Sequence, residues 1–111
     1  MLRPLNIKLV ADGTRLEIDQ AEWIELECSN DLMTAAGATP EQRVIVSQHP
    51  DGRIIVYVAE IQGGMTIGAT GFLPISDGNV IATLYRVADL NPSFQEQLDE
   101  MAVGLRARGF R

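Results

Sequence analysis

The sequence predicts an α+β fold: a mostly antiparallel sheet of five to six strands, with an amphipathic C-terminal helix and one earlier helix packed on it. Three observations carry this expectation. Apolar, β-branched runs at residues 44–46, 54–59 and 80–85 are strand-like. They are punctuated by His49-Pro50-Asp51-Gly52, Gly63-Gly64 and Ser76-Asp77-Gly78-Asn79, links too short for the parallel crossovers that need about a dozen residues or more. Finally, Phe94, Leu98, Met101 and Leu105 draw a single apolar stripe at helical spacing. A chain of 111 residues is read as a single globular domain spanning 1–111.

From the N-terminus, Leu5-Asn6-Ile7-Lys8-Leu9 alternates apolar and polar residues, the period-2 pattern of a half-buried strand. Ala11-Asp12-Gly13-Thr14 supplies a turn and Leu16-Glu17-Ile18 resumes the alternation, so 5–10 and 15–18 form a hairpin. The next segment carries two patterns. Ile24, Leu26 and Cys28 alternate with Glu25 and Glu27 as a strand would. Against that, Asp19 and Glu22 resemble a capping box, and Ala21, Ile24, Cys28, Leu32 and Ala35 share one helical face ahead of Gly37. The helical pattern explains more residues and predicts a helix over about 20–35.

Residues 38–42 read as a connector, with Thr39 and Pro40 placed to open one helical turn. Residues 54–59 are apolar on both faces, as in a central strand covered on both sides. Met65-Thr66-Ile67 and Phe72-Leu73 form an interrupted strand in which Gly68 and Gly71 signal a bulge or bend. A strand from Val80 to near Val87 follows. Asn91 and Pro92 then cap and open the last helix, Arg106 and Arg108 complement its C-terminal dipole, and Gly109 ends it.

The formal charge is −6, from 15 acids against 9 bases, which disfavours nucleic acid or anionic membrane as a partner. Residues 12–31 hold seven acids against Arg15 alone, a solvated face or a steering surface for an electropositive partner. The lone Cys28 allows no intramolecular disulfide, and no apolar run has signal-peptide or membrane-spanning length. The expectation is a cytoplasmic protein without cofactor or metal.

Candidate chemistry is sparse. The segment carrying Gly63, Gly64, Gly68 and Gly71 is the candidate ligand or interface segment, yet it has neither the lysine nor the following helix of a phosphate loop. His49 lies in a turn where Asp51 could orient it, but an exposed hairpin tip lacks the cleft that general-base work requires, and Cys28 is flanked by acids that disfavour a thiolate. Cys28 and His49 together supply too few ligands for zinc. Glu22, Glu25, Asp31 and Glu60 are the candidate functional carboxylates, and Tyr57 and Tyr85 are expected within strands.

No catalytic residues are assigned. The expected function is a non-enzymatic interaction or accessory module that binds a protein partner or itself. The alternative is a small-ligand pocket or an unrecognised enzyme site between the sheet and the C-terminal helix, with a tyrosine or carboxylate as its polar group.

Overall fold

The computed structural model describes residues 4–29, 41–90 and 92–111. Six strands precede two helices: β1 (Leu5–Leu9), β2 (Arg15–Ile18), β3 (Ile24–Cys28), β4 (Glu41–Gln48), β5 (Ile54–Gln62), β6 (Met65–Phe72), α1 (Val80–Leu90) and α2 (Gln95–Ala107). The strands form one sheet in the order β2-β1-β6-β5-β4-β3. The pairing is antiparallel throughout except between β1 and β6, which run parallel through Lys8↔Thr70 and Leu9↔Gly71. The α+β class and the mostly antiparallel sheet are therefore as expected, with one parallel pair added.

Where turn chemistry was explicit, the chain follows it. Gly63 and Gly64 both have positive φ, 60° and 77°, which lets a two-residue turn join β5 to β6 with the hand that matches strand twist. The interrupted strand is continuous and bulged. Glu60 faces Gly68 while Ile61 faces Thr66, so Ile67 is the extra residue.

Two elements depart from the sequence reading. The helix expected over 20–35 is replaced, within the described residues, by a single turn and then β3. Asp19 does cap that turn: its Oδ1 accepts from Ala21 N–H at 2.9 Å, and its carbonyl accepts from Glu22 and Trp23. After one turn the chain enters β3, because β4 offers a ladder partner that periodicity alone does not reveal, and a bulge at Leu26 breaks the Ile24/Leu26/Cys28 alternation by setting Glu27 opposite Val46 and Cys28 opposite Ile45. Residues 30–35 of that predicted helix, Gly37, and Thr39 and Pro40 of the predicted connector lie outside the described residues, whereas Glu41 and Gln42 already belong to β4.

The second departure is the run from Val80, which is the helix α1 and not a strand. Its β-branched residues mimic a strand, yet Val80, Leu84 and Val87 fall on one helical face and are fully buried. Ser76 N–H donates to Asn79 Oδ1 at 3.0 Å where the chain enters a short 3-10 turn, Asp77–Asn79, so the expected reversal leads into a helix. Buried Thr83 satisfies its hydroxyl within the helix by donating to Asn79 O at 2.8 Å. A second 3-10 turn, Pro92–Phe94, leads into α2, and the proposed cap Asn91 lies outside the described residues. Phe94, Leu98, Met101 and Leu105 are all buried, as their spacing predicts.

Both faces of the sheet are apolar. Val44, Val46, Val56, Val58 and Phe72 meet the inner faces of α1 and α2. On the opposite face Ile7, Ile18, Ile55, Tyr57 and Trp23 bury one another. That burial follows from curvature. Ile18 ends one edge strand and Ile24 begins the other, and six residues of chain reach at most about 22 Å. Six strands laid flat would separate the edges by about 24 Å, and the Asp19 turn shortens the link further. The sheet must roll, and rolling buries its concave side. No helix of the described residues is long and apolar enough to cross a membrane.

Candidate functional site

Along the helix-facing side of the sheet, one end changes from apolar to polar. Inward positions on β5 run Ile54, Val56, Val58 and then Glu60, while those on β4 run Val46, Val44 and then Gln42. Register places Gln42 directly opposite Glu60 on one side and Gly68 opposite it on the other; Thr70 stands opposite Val58. Cross-strand neighbours on one face lie about 5 Å apart and diagonal ones about 7 Å, so an amide, a carboxylate and a hydroxyl share one small area. Leu90 from the end of α1 and Phe94 from the following turn complete a cleft of ≈ 240 Å³.

The three polar groups are half-buried, and none has a hydrogen-bond or ion-pair partner among the described residues. Gly68 keeps the cleft open, since a Cβ there would stand 3.7 Å from Glu60 Oε2 and a longer side chain would cover the carboxylate. Chemically the site offers acceptors in an apolar surround, a setting for a hydrogen-bond donor that carries positive charge.

The four candidate glycines are thus divided. Gly63 and Gly64 make a turn. Gly71 is a packing residue, because a Cβ on it would meet Ile7 Cγ2 and Tyr57 Cβ at 3.0 Å. Only Gly68 borders the cleft, opposite Glu60. Of the candidate carboxylates, Glu60 is the one that the fold places in this cleft; Asp31 lies outside the described residues.

The other candidates are elsewhere. Tyr57 faces the concave side, where Ile18, Trp23, Glu25 and Ser47 join it around a second concavity of ≈ 470 Å³ at the mouth of the rolled sheet. Burial raises the Tyr57 hydroxyl above its ordinary pKa of 10, opposed by its hydrogen bond with Ser47 and reinforced by the charge of Glu25. Tyr85, expected in a strand, sits on α1 and donates to Asp99; that bond and partial burial raise its pKa too. Cys28 lies in β3 with Sγ 3.4 Å from Ser29 O.

His49 occupies the turn joining β4 and β5. Its Nδ1 lies 3.2 Å from Asp51 N–H, which donates to it, and 3.1 Å from Asp51 Oδ1, while its Nε2 stands 3.4 Å from Glu22 Oε2. Trp23 meets its ring at a steep angle with the ring centroids 5.1 Å apart, and Arg53 lies over that indole at 5.3 Å while its Nε donates to Asp51 at 2.7 Å. Backbone N–H donation from Arg53, with its guanidinium, holds the Asp51 carboxyl below the usual 3.8. No hydroxyl or thiol of the described residues is hydrogen-bonded to either ring nitrogen, so the cluster staples a turn. Nor do the described residues hold a group of three or more His, Cys, Asp or Glu suited to a metal ion.

Sequence reasoning named Glu60 but missed Gln42 and Thr70. The available signal was the polar residue at an inward position where each apolar alternation breaks off. No family model matches the chain, and no curated protein or solved structure was found that matches it.

Proposed function

We propose that the protein is a non-enzymatic interaction module whose helix-side cleft receives a cationic side chain of a protein partner. The observation that carries this reading is the half-buried Glu60 carboxylate, set between Gln42 and Thr70 without a partner among the described residues. A carboxylate removed from part of its water gains most from a charge-assisted hydrogen bond. Leu90, Phe94 and Val58 would cover the aliphatic stem of a lysine or arginine. The net charge of −6 would speed the encounter with a basic surface.

The test is a chemical-shift titration with N-acetyl-arginine amide, followed by capture of partners from the native host. Binding at about millimolar strength should move the amides of Gln42, Glu60 and Thr70. Glu60→Gln and Gly68→Leu should abolish that response and release the captured partner, while Glu17→Gln on β2 should do neither. A partner held equally by both cleft variants would refute the assignment.

The concavity around Tyr57 favours a second reading, a small-molecule site. Its ≈ 470 Å³ combine Trp23 with Ser47, Glu25 and the Tyr57 hydroxyl at the mouth of a curved sheet, a place where ligands commonly bind. Native mass spectrometry of protein purified from its host would show a retained small molecule that Ser47→Ala and Tyr57→Phe release. Unchanged bare mass in the wild type would remove this reading.

A further inference from the structure

β2 is an end strand of the sheet, and the phase of its ladder determines what its free edge offers. Leu9 N–H donates to Thr14 O at 3.1 Å. Hydrogen-bonded and non-hydrogen-bonded pairs alternate along an antiparallel ladder. Leu9/Thr14, Ile7/Leu16 and Leu5/Ile18 are therefore the bonded pairs, and the backbone groups of Arg15 and Glu17 point away from β1. Neither residue has another backbone partner among the described residues, and both side chains are exposed.

We propose that two copies of this chain associate through β2, antiparallel about a two-fold axis at Leu16, so that Arg15 of each copy faces Glu17 of the other. Two independent requirements select that register. Backbone phase demands that the bonded pairs across the new ladder involve Arg15 and Glu17, and pairing 15 with 17 closes four N–H···O bonds. Side-chain charge demands the same alignment, because a two-fold axis at Arg15 or at Glu17 would set like charges opposite each other, which destabilises a ladder. With the axis at Leu16, both pairs are Arg–Glu, on one face of the strand. The two half-buried Leu16 side chains meet on the other face at a close, non-hydrogen-bonded position.

The other end strand does not offer this. β3 is bulged at Leu26, its charged residues are all acidic, and Glu27 is taken up with Arg108 of α2, so it presents neither a regular edge nor a complementary charge pair. Pairing β2 of one copy with β3 of the next would be open-ended and would build filaments, whereas the two-fold contact closes on itself. Each copy's charge of −6 opposes association at long range. At physiological salt that repulsion is screened beyond about 8 Å, while cross-strand pairs sit inside that distance. The contact extends the six-stranded sheet of one copy into that of the other. With a four-residue strand it is a weak interface, and a Kd on the order of 100 µM is expected.

Sedimentation equilibrium of the full chain over rising concentration tests this, and the outcome does not depend on the cleft assignment. The wild type should reach a dimer and no larger species. Arg15→Glu alone and Glu17→Arg alone should each weaken it by roughly tenfold or more, since every cross-strand pair becomes repulsive. The double reversal, Arg15→Glu with Glu17→Arg, should restore the dimer, and an equimolar mixture of the two single variants should form a heterodimer tighter than either homodimer. Both substituted positions are exposed, so circular dichroism should show all variants folded. A wild type that stays monomeric at about millimolar concentration, a dimer indifferent to these reversals, or filaments would each overturn the proposal.

Discussion

Glu27 lies against the bare Cα of Gly104, its Cδ 2.8 Å from where a Cβ would stand, and its Oε1 accepts a hydrogen bond from Arg108 Nε at 3.3 Å. The missing side chain on α2 thus makes room for an ion pair between β3 and the helix end. Gly104→Ala should raise helix propensity by about 1 kcal/mol but displace Glu27, at a cost of up to about 1 kcal/mol for a largely exposed pair. The two nearly cancel. In a Glu27→Ala background the same substitution should stabilise by about 0.5–1 kcal/mol, and urea melts of the four proteins in the cycle would show it. Equal effects in both backgrounds would deny the contact.

Gly71 and Gly68 separate packing from cleft within one strand. A Cβ on Gly71 would approach two side chains at 3.0 Å and Val56 O at 3.1 Å, so Gly71→Ala should cost about 1–3 kcal/mol. A Cβ on Gly68 would find its nearest neighbour, Glu60 Oε2, at 3.7 Å, so Gly68→Ala should fold with nearly wild-type stability. Thermal melts of both variants decide this; equal losses would contradict the geometry.

Tyr57 and Tyr85 both have pKa values raised above 10, the first chiefly by burial and the second chiefly by its hydrogen bond to Asp99. A group whose folded pKa is raised holds its proton more tightly when folded. Its contribution is complete below pH 10 and is lost as pH rises through the folded value. Tyrosinate absorbance should therefore appear only above pH 10, together with the onset of alkaline unfolding. Asp99→Asn should lower the Tyr85 transition and leave that of Tyr57 in place.

Leu98 is fully buried beneath the sheet, while Val103, five residues further along the same helix, is 67% exposed. Leu98→Ala should cost about 2–5 kcal/mol and Val103→Ala well under 1 kcal/mol. Comparable shifts in denaturant midpoint would mean that α2 is docked by a different face.

Much of the fold was legible where local chemistry and tertiary context agree. The turn at 11–14 defined β2 to the residue, and the Phe94–Leu98–Met101–Leu105 stripe defined the buried face of α2. Misreadings arose where they disagree. Val80, Ile81, Thr83 and Val87 are β-branched by type, so their strand propensity concealed a helical burial pattern. Ahead of β3 the genuine capping turn at Asp19 reads locally as the start of a long helix, because pairing with β4 is a long-range property. The candidate site was legible only as one carboxylate among four. What joins Glu60 to Gln42 and Thr70 is register across three strands, and register depends on turns and bulges acting together.

The parallel pairing of β1 with β6 has a kinetic consequence. Lys8 meets Thr70 across more than sixty residues of chain, and Val10 N–H donates to Gly71 O at 3.0 Å over the same span. The β4–β5 and β5–β6 hairpins close short loops and can form early, whereas seating β1 must await a finished β6 and overcome the entropy of the longest loop in the sheet. The N-terminal hairpin is then the last piece placed and the first to leave. Truncating Ile7 to Val should accelerate unfolding while leaving the refolding rate almost unchanged, a division that stopped-flow chevrons would display.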